Sequence, residues 1–221
     1  MYTANIFSER DFYACDLLLS SEFIHYSEAI DGASFPSSTY MEEENKSACN
    51  MNAVNASPAG AEEYSIEIET GTHSLQLVVV RPEHEWRITP VFLFVSGGNA
   101  TEDDYAIYRK QVGDLVTVTG FTAVFVKQNS TRVSSHAYRI GEVYAAAEWV
   151  ARYGDQIRVD GTKPGIVGAD AGAGIAVCIT VMAKEKSYPA FCSPVLMIRS
   201  TEGSYDTFLE NAATMLMHQF T

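Results

Sequence analysis

In the stretch KPGIVGADAGAG, residues 163–174, a carboxylate stands between two glycines: Asp170 lies midway between Gly168 and Gly172. A short apolar run leads into it and a run of small residues follows, the pattern of a strand, a tight turn and a helix. A side chain at the centre of such a turn is held exposed at the end of the strand, where it can attack a substrate or move a proton. A second glycine turn, VSGGNATED, follows the apolar run VFLFVS at 91–96. If the two turns lie together, the backbone amides of the second are placed to stabilise negative charge on a reacting oxygen.

Two chemistries compete for these glycines. Residues 168–174 also fit the G-x-x-x-G-x-G spacing of short-chain dehydrogenases, in which a pyrophosphate sits at a helix N-terminus. Placement speaks against a nucleotide. That motif opens its fold, whereas here only one further strand follows. There is no Y-x-x-x-K pair, the nearest being Tyr105 with Arg109, and Asp170 would set a negative charge beside the phosphates.

The elements needed to position the turns can be read from the hydrophobic pattern. YSIEIET alternates with period two and SLQLVVVR follows after GTH, which predicts a β-hairpin. VFLFVS (91–96), TAVFVKQ (122–128), PGIVGA (164–169) and FCSPVLMI (191–198) are nearly continuous apolar runs, as in strands buried on both faces. Helical segments are expected at 103–118, 138–153 and 171–186. Strands alternating with helices predict a mostly parallel sheet with helices on both faces. Residues 1–60 read differently, as one or two amphipathic helices and a Ser-, Asn- and Gly-rich linker. The expected division is a cap or lid over 1–60 and an α/β core over 61–221.

Taken in order, these motifs resemble the hormone-sensitive-lipase-like carboxylesterases of the α/β-hydrolase fold. VVVRPE is similar to the family's strand ending in Y-R-P, and PVFLFVSGGNA to the strand entering its H-G-G-G loop. EVYAAAEWVARYGDQIRVDGTKPGIVGADAGAG is similar to its helix, D-P-x-R connection and G-D-S-A-G-G elbow. SYDTFLENAATMLMHQF looks like the segment entering the second half of the family's cap. The resemblance implies a three-layer α/β-hydrolase-like sheet of about six strands, lacking the family's last two, with an N-terminal helical cap.

The resemblance also implies a site. Ser96 stands at the family's histidine, Gly97 and Gly98 match its glycines, and Asn99 replaces the third. Asp170 takes the nucleophile's place, and Ala171 is the residue whose amide completes the oxyanion hole. His136 does not carry over, and His218 near the end lacks the intervening strands that would deliver it to the elbow. The family's catalytic acid and histidine follow two strands that have no counterpart here.

Bulk properties narrow the partners. A net charge of -13 argues against nucleic acid and anionic membranes, which need a basic face. The four cysteines are scattered without a C-x-x-C pair, and no histidines show metal-ligand spacing, so neither a disulfide framework nor a metal or other cofactor is expected. Glu9, Arg10 and Asp11 come too early for a signal peptide, and no run approaches the length of a membrane span. The expectation is a cytoplasmic protein acting on a small apolar molecule. It should form a homodimer through the exposed edge of strand 191–198.

With serine and relay histidine absent, the expected function is a repurposed, non-hydrolytic enzyme catalysing cyclisation, isomerisation or elimination with Asp170 as acid or base. The alternatives are a pseudoenzyme that binds a small molecule or partner, and a hydrolase with an Asp nucleophile. Ester hydrolysis by a Ser–His–Asp triad is excluded on this reading.

Overall fold

Runs without polar side chains become interior strands, because only a strand covered on both faces gains from burying every residue. The computed structural model describes residues 59–70, 74–96, 104–127, 136–169, 172–189, 191, 195–197 and 205–220, which lie in the unit Ser57–Thr221. Its strands are β1 (Ala61–Glu69), β2 (Ser74–Pro82), β3 (Thr89–Val95), β4 (Thr122–Lys127), β5 (Val159–Ala169) and β6 (Val195–Met197). The helices are α1 (Asp104–Thr119), α2 (His136–Tyr153), α3 (Gly172–Lys186) and α4 (Tyr205–Gln219). The cap expected over 1–60 lies outside the described residues except at its last two positions.

The strands form one six-stranded sheet in the order β1-β2-β4-β3-β5-β6. β1 and β2 pair antiparallel as the expected hairpin, and β2 pairs antiparallel with β4. The pairs β3–β4, β3–β5 and β5–β6 are parallel. From β3 the chain steps to β4 on one side and then returns past β3 to β5 on the other. Right-handed crossovers therefore put α1 on one face and α2 and α3 on the other. The α/β-hydrolase-like sheet expected from the sequence is the one observed.

Alternation along each strand divides the core between the two faces. Phe92, Phe94, Val78, Val80 and Phe125 pack with Tyr108, Val112 and Leu115 of α1 and with Leu216 of α4. The Phe94 and Phe125 rings stack at 5.8 Å, and Tyr105 meets Phe125 edge-on at 5.2 Å. Leu77, Val79, Leu93, Val124 and Ile166 alternate to the other side and are equally buried, as are Val143 and Val150 of α2 and Ile175 and Ile179 of α3. Each such side chain contributes about 1.5–3 kcal/mol by leaving water.

β5 begins at Val159, ahead of the expected 164. Val159 and Asp160 pair with Thr89 and Pro90, and the register shifts before Gly165 meets Phe92. Between them Asp160 accepts hydrogen bonds from the amide and hydroxyl of Thr162 at 2.9 and 2.6 Å. Asx turns of this kind look like a connection in sequence, and here one is absorbed into the strand. Among the described residues no helix is long and apolar enough to cross a membrane.

Candidate functional site

The loops after two neighbouring strands open a crevice where the chain leaves them toward opposite faces of the sheet. β3 and β5 are such neighbours: β3 leads to α1 on one face and β5 to α3 on the other. The crevice therefore lies at their carboxyl ends, where Val95 pairs with Gly168. Ser96 follows Val95 and is buried.

β5 ends at Ala169 and α3 begins at Gly172, so the chain turns from strand to helix within two intervening residues. Backbone packing makes glycine necessary on both sides of that turn. A Cβ on Gly168 would stand 2.6 Å from both Ala173 Cα and the Gly172 carbonyl oxygen. On Gly172 it would stand 2.2 Å from the Val95 carbonyl oxygen and 2.7 Å from the Ser96 carbonyl carbon. Those neighbours are main chain, which cannot swing aside, so a side chain would push α3 away from the end of β3. The amino end of α3 is thereby held against the exit of β3. The first N–H groups of a helix have no intrahelical partner and favour negative charge, so the crevice is suited to a developing anion.

Of the residues expected at the site, only Ser96 is among those described. Gly97, Gly98, Asn99, Asp170 and Ala171 lie outside them. By connectivity Asp170 and Ala171 are the two residues that join Ala169 to Gly172, and Gly97 to Asn99 follow Ser96 directly. Of the described histidines, His136 begins α2, the helix that follows β4, and so starts at the carboxyl end of the sheet, whereas the other two do not. His218 is exposed in the last turn of α4, and His84 lies in the turn after β2. Among the described residues no group of His, Cys, Asp or Glu could hold a metal ion.

A charged cluster that sequence reading missed anchors α1, the helix reached from β3. The Glu63 carboxylate on β1 accepts hydrogen bonds from the Tyr105 hydroxyl at 2.6 Å and from Arg109 Nε at 2.9 Å, and Arg109 Nη2 completes a bidentate pair. Burial opposes ionisation of Glu63. The hydrogen bonds from Arg109 and Tyr105 and the arginine charge outweigh it, so the carboxyl pKa falls below its ordinary value. Burial and the Glu63 carboxylate push the Tyr105 phenol well above the usual tyrosine range. The two residues closest to a dehydrogenase Y-x-x-x-K pair thus form an ion-paired brace, and this tyrosine is no base. No local signal could have revealed it, because Glu63 lies far from both in the chain.

No family model matches the chain, and no curated protein matches it. Solved structures do share its fold. A double mutant of the esterase rPPE is 25% identical, with a TM-score of 0.63, over 89% of this chain and 66% of that one. A thermostable esterase from Pseudomonas putida is 23% identical, with the same TM-score, over 99% and 70%. Fungal esterase from Rhizomucor miehei is 23% identical, with a TM-score of 0.61, over 79% and 56%. The chain thus spans just under two thirds of the first of these proteins.

These neighbours correct the expected function. The non-hydrolytic cyclase, isomerase or lyase expected from the absent serine and histidine and the retained glycine turns, and the alternative of a pseudoenzyme, are not supported by them. The solved structures named above are esterases, which favours hydrolysis over those chemistries. At the level of fold, the chain is similar to esterases of the α/β-hydrolase type.

Proposed function

We propose that the chain is a hydrolase of small apolar esters, related to the hormone-sensitive-lipase-like carboxylesterases, with Asp170 in place of their serine. The reaction takes place at the carboxyl ends of β3 and β5. Asp170 acts as general base: it takes a proton from water as the water oxygen bonds to the ester carbonyl carbon, and the carbonyl electron pair moves onto oxygen. Amides of Gly98, Asn99 and Ala171 stabilise that oxyanion. Collapse expels the alkoxide, which receives the proton from Asp170 and leaves as alcohol, with the acid as second product. No covalent intermediate or relay histidine is needed on this route.

The observation that carries the reading is the contact of Gly172 with Val95 and Ser96. It fixes two described backbone ends side by side, one joined to Ala171 and the other to Gly97. The esterase activity of proteins with this fold supports hydrolysis over other chemistry. A single turnover of a short-chain nitrophenyl ester in heavy-oxygen water tests the mechanism. The label should appear in the released acid, and the peptide containing Asp170 should carry neither label nor acyl group. Label or acyl group on Asp170 would replace the base by an aspartate nucleophile.

A further inference from the structure

The turn between β2 and β3 exposes two large apolar side chains two residues apart: Trp86 is 75% and Ile88 66% exposed. Single exposed apolar residues are ordinary, but an adjacent pair on fixed backbone forms a patch that calls for a partner. The backbone here is fixed. The Glu85 amide donates to the Pro82 carbonyl at 3.3 Å, and the buried Arg81 guanidinium donates to the Glu85 carbonyl at 2.5 Å. The Thr89 amide donates to the Arg158 carbonyl at 3.2 Å, which ties the turn to the residue before β5. Arg158 adopts the left-handed conformation, with φ at 57°, and its guanidinium lies 5.4 Å from the centre of the Trp86 ring.

Charge identifies the occupant. Glu85 and Arg87 satisfy each other through hydrogen bonds of 3.1 and 2.9 Å. Arg158 makes no ion pair among the described residues, and among them the half-exposed Glu83 carboxylate pairs with the exposed His84 imidazole alone, at 3.5 Å. The turn that carries the apolar pair thus brings Glu83, Glu85 and Arg87, and Arg158 lies at the Trp86 ring, so two carboxylates and two guanidiniums cancel on a chain whose net charge is -13. A patch whose own charges cancel lets two copies of so acidic a chain meet without like-charge repulsion at the contact. An apolar centre flanked by both signs is also self-complementary about a two-fold axis.

We propose that Trp86 and Ile88 form the centre of a two-fold interface between copies of this chain, with Arg158 of each copy facing Glu83 of the other. The patch lies at the amino ends of β3 and β5, opposite the crevice, so association leaves the crevice open. It is a different surface from the strand 191–198 expected to pair.

Sedimentation of the full chain from about 1 to about 200 µM tests this, since a dimer assembles by mass action. The parent should dimerise, and Trp86→Ala should weaken the dimer by roughly thirty-fold or more, as for an aromatic anchor. Arg158→Glu and Glu83→Arg should each weaken it, and the double swap should restore it. These side chains are exposed, and circular dichroism of each variant checks that folding is intact. A parent that stays monomeric throughout would overturn the proposal. So would a dimer indifferent to Trp86→Ala, or charge swaps that fail to rescue each other.

Discussion

Tyr105 shows how far a residue's chemistry depends on its neighbours. Spacing in sequence sets it four residues from Arg109, and nothing local places Glu63 against both. The brace joins the edge strand β1 to the first turns of α1, and its strength depends on the ionised carboxylate. Glu63→Gln is expected to cost about 1–3 kcal/mol at neutral pH, the usual loss when a hydrogen bond to a charged group is broken. The folded pKa of Glu63 is depressed, so its contribution is complete above the ordinary value of 4.5 and fades as pH falls through the folded value. Urea denaturation of parent and variant should show a constant gap above that pH and a closing gap below it. A gap that widens in acid would mean that Glu63 is not held as the anion.

At the scale of elements, most of the sheet was legible because its strands are buried on both faces and spell themselves as apolar runs. The start of β5 was not, since Asp160, Thr162 and Lys163 are exposed and read as a connection. The glycine turn was legible as a turn, but its consequence was misjudged. Absence of a serine does not by itself exclude hydrolysis, because the contacts of Gly168 and Gly172 depend on backbone geometry and not on the residue between them. Gly172→Ala should therefore do more than a typical methyl insertion. The added carbon meets the main chain at Val95, and displacing α3 should cost of order 1–3 kcal/mol. Ester turnover should fall about a hundred-fold, with little change in KM, because misplacement by an ångström suffices for such a loss. Normal turnover in a stably folded Gly172→Ala variant would separate this turn from catalysis.

The whole chain adds its field to what the crevice does. With a net charge of -13, a carboxylate-bearing ester should be used with lower kcat/KM than a neutral ester of the same shape. Added salt should narrow the difference by screening. That charge was legible from composition, whereas the patch at Trp86 and Arg158 was not, because β3–β5 pairing alone brings those two residues together. In the function proposed above, the turn joining β5 to α3 is a hydrolytic centre whose working group is Asp170. That role is tested most directly by the steady-state hydrolysis of short-chain nitrophenyl esters by the parent, Asp170→Asn and Asp170→Ala. Saturable turnover by the parent, lowered roughly 10²–10⁴-fold in both variants with KM held, is the expected result. No turnover by the parent, or turnover that survives unchanged in both variants, would rule out Asp170 as the working group of a hydrolase.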